Sequence, residues 1–210
     1  MTTVAAERGE ESPEEERIRA FIALDPPPPT VDAIAGWQGS ALGPELRPLD
    51  RVGLHITLAY LGDRTPGEIE ASKGALRAAT AGSGPVTVHL EPVPIGLPPR
   101  RPRVVALTAA SAAAVALQEA LAGELAAACV KFEERRPYRP HLSVARIRGH
   151  PSRRRAEDAV AGLAPFGGTG GHTFDAVRVA LYRSELRSQG PRYSPLADVE
   201  LPRGAADEVV

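Results

Sequence analysis

Two tetrapeptides with one pattern, His55-Ile56-Thr57-Leu58 and His141-Leu142-Ser143-Val144, constrain this 210-residue chain more than any other feature. Each sets a histidine two residues before a hydroxyl, closes on an apolar residue, and lies in a run that reads as a β-strand. Strand side chains alternate, so each histidine shares a face with its hydroxyl while Ile56, Leu58, Leu142 and Val144 enter a core. Two or more such matches among the five histidines are expected in roughly 1 to 2% of shuffled chains. His150 also has a hydroxyl at this offset, in Ser152, but it stands in a Gly/Pro turn without the apolar anchor and reads as an ordinary loop histidine.

The surroundings of the two motifs repeat as well. Residues 18–24 read as a short apolar strand that the prolines at 26–29 must stop. Thr30 is expected to cap a helix through about residue 42, and 54–61 is the strand of the first motif. Thr65, Pro66 and Glu68 then start a helix through about Thr80, because Pro suits the first turn and an acid suits its positive end. Residues 86–93 read as a strand, followed by a Pro-rich connection at 94–102. The second half runs strand 104–108, an Ala-rich helix 111–130 facing inward through Val115, Leu117, Leu121 and Leu125, motif strand 141–147 and a helix from Ser152 to about Leu163. Strands at 174–182 and 193–201 close the chain. This order predicts an internal duplication. The expected fold is α+β and bilobal: two small, mostly antiparallel sheets with outer helices around a central cleft that brings the histidines together. Residues 1–17 read as a disordered acidic lead-in, 18–201 as one domain of two pseudo-symmetric lobes, and 202–210 as a loose tail.

A 43% hydrophobic and 24% charged composition places the chain among soluble globular proteins. The single cysteine, Cys129, excludes an internal disulfide and fits a reducing cytoplasm; among Ala127, Ala128 and Val130 it reads as a small buried residue. The Glu-rich start is neither signal peptide nor anchor, and no apolar run approaches bilayer length, so a cytoplasmic monomer without membrane contact is expected. The net charge of −1 hides an asymmetry: residues 100–155 carry twelve Lys or Arg against four Asp or Glu. A basic block around the second motif is an electrostatic footprint for a nucleotide or nucleic-acid partner.

Paired histidines suit phosphodiester cleavage. With an ordinary pKa near 6.5 either can take the nucleophile's proton or give one to the leaving oxygen, and the form with one neutral and one protonated amounts to roughly 18 to 25% between pH 7 and 6.5. No metal or other cofactor is then required. Thr57 and Ser143, about 6.7 Å along the strand from their histidines, can hydrogen-bond the non-bridging phosphate oxygens. Competing chemistries lack their residues. His-x-Thr is not a zinc pair, no His-x-x-x-His or Cys-x-x-Cys occurs, and no Gly-x-Ser-x-Gly elbow is present. Gly167-Gly168-Thr169-Gly170-Gly171 precedes a strand rather than a helix, so it is no phosphate cradle and reads as a flexible loop that could act as a lid.

Taken with their flanks, these motifs resemble the 2H phosphoesterase superfamily, and within it the RNA 2′,3′-cyclic phosphodiesterases formerly called 2′-5′ RNA ligases. The resemblance runs from Arg19-Ala20-Phe21-Ile22-Ala23-Leu24 to about Leu201. It rests on the stretch from Leu54 to Gly62, on Arg139-Pro140-His141-Leu142-Ser143-Val144-Ala145-Arg146, and on Leu181-Tyr182-Arg183-Ser184-Glu185-Leu186. It implies metal-independent opening of an RNA 2′,3′-cyclic phosphate to a 2′-phosphomonoester, with His55 as proton donor and His141 as proton acceptor. Ser143 departs from the family's usual threonine; it keeps the hydroxyl and loses the stiffness at χ1. For the supporting arginine the resemblance favours Arg146, whereas strand parity favours Arg139, since Arg146 faces away unless a bulge intervenes. Two alternatives remain open at this level. One is another activity of the superfamily, 2′-5′ phosphodiester cleavage or reversible 2′-5′ ligation; the other is a non-catalytic module binding RNA or a nucleotide such as ATP in the cleft.

Overall fold

Why the two motif strands can meet is answered by how the strands between them are shared. The computed structural model describes residues 16–132, 137–187 and 190–204, so the expectations for the first fifteen residues and for 205–210 lie outside the described residues. The strands are β1 (Ile18–Asp25), β2 (Leu46–Pro48), β3 (Ile56–Arg64), β4 (Thr87–Leu90), β5 (Ile95–Leu97), β6 (Val104–Ala110), β7 (His141–Ile147), β8 (His172–Asp175), β9 (Arg178–Arg187) and β10 (Gly190–Glu200). The helices are α1 (Pro28–Ala41), α2 (Pro66–Thr80), α3 (Ala112–Ala127) and α4 (Arg153–Ala161). The strands run β10-β9-β1-β3-β7-β6-β4-β8, with β2 on β7 and β5 on β6, and every pairing is antiparallel. Between β3 and β7 the ladder narrows to one residue pair, Ile56 with Leu142, which divides the sheet into the two halves expected.

The halves exchange parts. β4 follows α2 in sequence yet pairs with β6 in the second half, and β9 and β10, from the end of the chain, extend the first half beside β1. α1 follows β1 but packs on β7, where buried Gln38 donates from Nε2 to the Val144 carbonyl at 2.6 Å. α3 follows β6 but packs against α2 and β3. One apolar core therefore runs under both halves, and burying it on folding ties them together.

Local chemistry accounts for several helix starts. Thr65 and Glu68 form a reciprocal capping box at the start of α2, and Ser152 caps α4. Thr30 does not cap α1; the N-cap is Pro27, and Thr30 lies buried one turn in, its hydroxyl 2.9 Å from His172 Nε2 on β8. Cys129 is exposed rather than buried. It occupies the left-handed C′ position after α3 (φ 59°), with its N–H and that of Val130 donating to the carbonyls of Ala126 and Leu125, so Val130 is the residue turned into the core. The Pro-rich connection contains β5, tolerated because it is an edge strand.

The glycine run is a tight turn pressed on the sheet, not a loose lid. Gly171 has φ 70°, and a Cβ there would fall inside van der Waals contact with the Leu90 carbonyl oxygen and 3.0 Å from the His89 ring. Gly171→Ala is therefore expected to destabilise the fold by at least about 2 kcal/mol in a denaturant titration, with unchanged stability as the contrary result.

Candidate active site

The site begins at the one pair joining the halves. Ile56 and Leu142 are both fully buried, and His55, just before β3, and His141, the first residue of β7, belong to the opposite face with Thr57 and Ser143. Extending the antiparallel register by one residue sets His55 across from Ser143 and Thr57 across from His141. Each imidazole thus stands across the seam from the other motif's hydroxyl. Tyr138, in the approach to β7, donates its hydroxyl to the Thr57 carbonyl at 3.0 Å and ties the two motifs together.

Matched bulges then change the parity of both strands. In β7, Ser143 pairs with Ala106 and Ala145 with Val105, leaving Val144 extra; Val144 and Ala145 are both buried. Arg146, opposite Val104, thereby returns to the face of His141 and Ser143. β3 repeats the device: Thr57 pairs with Ala23 and Ala59 with Ile22, Leu58 is extra, and Tyr60 emerges on the motif face, 49% exposed. Tyr60 and Arg146 stand five residues after their histidines, each behind an alanine, an equivalence visible in the sequence once the two motifs are aligned. The Arg19 guanidinium lies 5.4 Å from the centre of the Tyr60 ring. Arg139 precedes β7 with its side chain exposed, and what meets the site is its carbonyl.

His55 is held in an aromatic box. Phe21 stacks on it at 4.8 Å between ring centres, Tyr182 lies nearly parallel at 6.2 Å, and Tyr193 meets it edge-on at 5.5 Å. Phe21 and Tyr182 come from a small cluster on this face, with Ala23 and Ala180, separate from the main core. Behind the box, Asp25 Oδ2 accepts from Arg178 Nε and from the Tyr182 hydroxyl, both at 2.6 Å. Burial pushes the His55 pKa down; Asp25 and the Val52 carbonyl oppose this, and His141 adds to it. Nδ1 of His55 is buried without a partner of good hydrogen-bond geometry, so the Val52 carbonyl favours the protonated ring without closing a bond. Asp25, Arg178 and Tyr193 carry no motif, and Phe21 lies in the Arg19–Leu24 stretch without one of its own; the pairing of β1 with β9 and of β9 with β10 collects them.

His141 is arranged differently. Its Nδ1–H donates to the Arg139 carbonyl at 3.0 Å, because a carbonyl can only accept; in the neutral ring this leaves Nε2 with its lone pair free. The Thr57 and Ser143 hydroxyls, half-buried on the shared face, have no protein partner among the described residues. His55, Thr57, His141, Ser143 and Arg146 thus share one face of the sheet. Among the described residues no group of three or more His, Cys, Asp or Glu could hold a metal ion, and no helix is long and apolar enough to cross a membrane.

A two-lobed α+β fold with His-x-Thr and His-x-Ser strands meeting at its centre is that of a 2H phosphoesterase. A family model described as the 2′-5′ RNA ligase superfamily matches residues 26–186, and the chain belongs to that family. It is similar to a protein of Methanothermobacter thermautotrophicus named RNA 2′,3′-cyclic phosphodiesterase, 26% identical over 183 residues, 86% of this chain and 97% of the relative. Among solved structures it resembles E. coli LigT complexed with 3′-AMP, at a TM-score of 0.68 and 25% identity over 89% of this chain and 99% of that one. A Thermus thermophilus protein shares the fold at a TM-score of 0.73 and 24% identity over 88% and 98% of the two chains.

Proposed function

We propose that this protein hydrolyses the 2′,3′-cyclic phosphate at the end of an RNA strand to a 2′-phosphomonoester, using His141 as base and His55 as acid. His141 Nε2 takes a proton from water as the water oxygen bonds to phosphorus. The P–O3′ bond breaks, and O3′ takes a proton from His55. Thr57 and Ser143 donate hydrogen bonds to the non-bridging oxygens, and Arg146 neutralises the charge gathering on them. Exchange with solvent then returns the proton to His55 and removes it from His141.

The observation that carries this reading is the crossed placement of two histidines and two hydroxyls on one face, with unlike surroundings for the two imidazoles. The Nδ1–H bond to Arg139 presents His141 as an acceptor, whereas Asp25 favours the protonated form of His55. Burial makes protonated His55 a stronger acid than a free histidine, and an arriving phosphate anion opposes that burial. The name of the Methanothermobacter relative and the nucleotides in the E. coli LigT structures, 3′-AMP, ATP and NADP+, support an RNA end or a nucleotide as occupant of the cleft. Residues 18–201 then act as one catalytic domain in a cytoplasmic monomer that requires no cofactor.

The test is incubation, with EDTA, of an oligonucleotide ending in a 2′,3′-cyclic phosphate, followed by product analysis. A 2′-phosphate is expected. A 3′-phosphate would mean that the other P–O bond breaks, and tight binding without turnover would make the protein a binding module. Asp25→Asn keeps the shape of the network and removes a charge that raises the His55 pKa. The alkaline limb of the kcat/KM profile, where the acid loses its proton, should therefore move to lower pH. The two histidines interact, so that limb belongs to the pair. An unmoved limb would separate Asp25 from the acid.

A further inference from the structure

Tyr193, which forms one wall of the His55 box, also lines a groove of about 250 Å³ that the reaction above does not use. Arg47, Pro48, Asp50, Gly53, Arg148 and Tyr193 line it. Arg47 lies on β2 directly opposite Arg146 on β7, and the flanking pair Leu46 with Ile147 is buried, so both arginines emerge on the motif face. Like charges directly opposite in a ladder destabilise the sheet. Neither arginine is paired with a carboxylate among the described residues. Some surface arginines are neutralised locally, Arg51 by Asp32, Arg153 by Glu157 and Arg154 by Asp158, and others such as Arg77, Arg101 and Arg155 are not, so what sets Arg47 and Arg146 apart is that they stand directly opposite each other in a ladder. Arg148 donates from Nε to the Leu46 carbonyl at 3.3 Å, which leaves its terminal nitrogens uncommitted. Asp50 is the single carboxylate on the wall, so cations outnumber anions there. An uncompensated arginine pair beside a catalytic cleft is a sheet defect that an anion repairs.

We propose that this groove is a second phosphate subsite, in which Arg47, with Arg148 beside it, binds the phosphodiester one nucleotide upstream of the reacting end of a single-stranded RNA. The assignment rests on the cyclic-phosphate reading for the position of the chain end. Arg146 faces the reacting phosphate, and the next phosphate along the strand needs the next cation, which the β2–β7 register supplies in Arg47. A cyclic mononucleotide has no group for Arg47 to bind, so the subsite discriminates oligonucleotides from mononucleotides.

The experiment compares 2′,3′-cyclic AMP with the trinucleotide ApApA ending in a 2′,3′-cyclic phosphate. Both kcat/KM values are measured for the wild type and Arg47→Ala, together with the affinities for 2′-AMP and for ApApA 2′-phosphate. The wild type is expected to favour the trinucleotide by about tenfold, and Arg47→Ala to lose that preference while its turnover of cyclic AMP stays within about twofold. The salt slope of log kcat/KM for the trinucleotide should become shallower by about 0.7, the release of one phosphate contact on a single strand. Arg47→Gln should reproduce both results, and neither variant should lower the unfolding midpoint, since each relieves the repulsion with Arg146.

Equal losses on both substrates would place Arg47 at the reacting phosphate and overturn the subsite. Loss of the preference in Arg19→Ala instead would send the strand out over Tyr60 and overturn it too. If neither cyclic substrate turns over while trinucleotide affinity still depends on Arg47, the catalytic reading fails and the subsite stands. If that dependence is also absent, both fall.

Discussion

His55→Ala and His141→Ala are each expected to lower kcat for opening a 2′,3′-cyclic phosphate by about 10² to 10⁴, equivalent to roughly 3 to 5 kcal/mol of barrier. Both side chains are half-buried and outside the main core, so both variants should fold; His55→Ala also loses its ring contacts with Phe21, Tyr182 and Tyr193 and should lower the unfolding midpoint more than His141→Ala does. The two losses can be told apart by the leaving group. A phosphodiester that releases p-nitrophenolate needs no proton at departure, so the His55→Ala penalty should shrink towards unity on it while the His141→Ala penalty persists. The reverse pattern would exchange the roles. Wild-type rates in either variant would end the paired-histidine mechanism, and equal penalties on both substrates would mean that His55 serves by positioning rather than by donating a proton.

Local chemistry was readable where neighbours in sequence decide it. Thr65, Pro66 and Glu68 fix the start of α2, and the strand read over His141 to Ile147 matches β7 at both ends. The repeated order was readable too, because each motif strand follows a strand and a helix and precedes another helix. What escaped depends on pairing between distant strands. Parity counted from His141 turns Arg146 away from the site, and only the bulge at Val144, set by the register with β6, turns it back. Tyr60 escaped for the same reason on β3, although its offset from His55 equals that of Arg146 from His141. Asp25 ends an apolar strand before a proline and gains meaning only where β1 meets β9, which sets it opposite Arg178. Arg47 looks like one more surface charge until β2 lands against β7. Cys129 was misplaced because an Ala-rich helix ending hides which residue takes the left-handed turn.

The seam between the halves should show the same dependence energetically. Leu142 is fully buried and is the one residue paired with both Ile56 across the seam and Leu107 within its own half. Leu142→Ala leaves a cavity there and is expected to cost about 3 kcal/mol, lowering the unfolding midpoint by roughly 6 to 12 °C for a chain of this size. Leu76→Ala, at an equally buried position on α2, should cost about the same by the same mechanism. Their catalytic consequences should differ. Loss of the Ile56–Leu142 contact frees the two halves to shift, and displacement by about 1 Å can cost 10²-fold in rate. At a temperature where both variants are folded, Leu142→Ala should lose at least about tenfold in kcat while Leu76→Ala keeps wild-type turnover. Equal kcat in the two would show that the site is positioned within each half rather than by the seam, and the crossed arrangement of histidine and hydroxyl would then owe its geometry to the helices that the halves exchange.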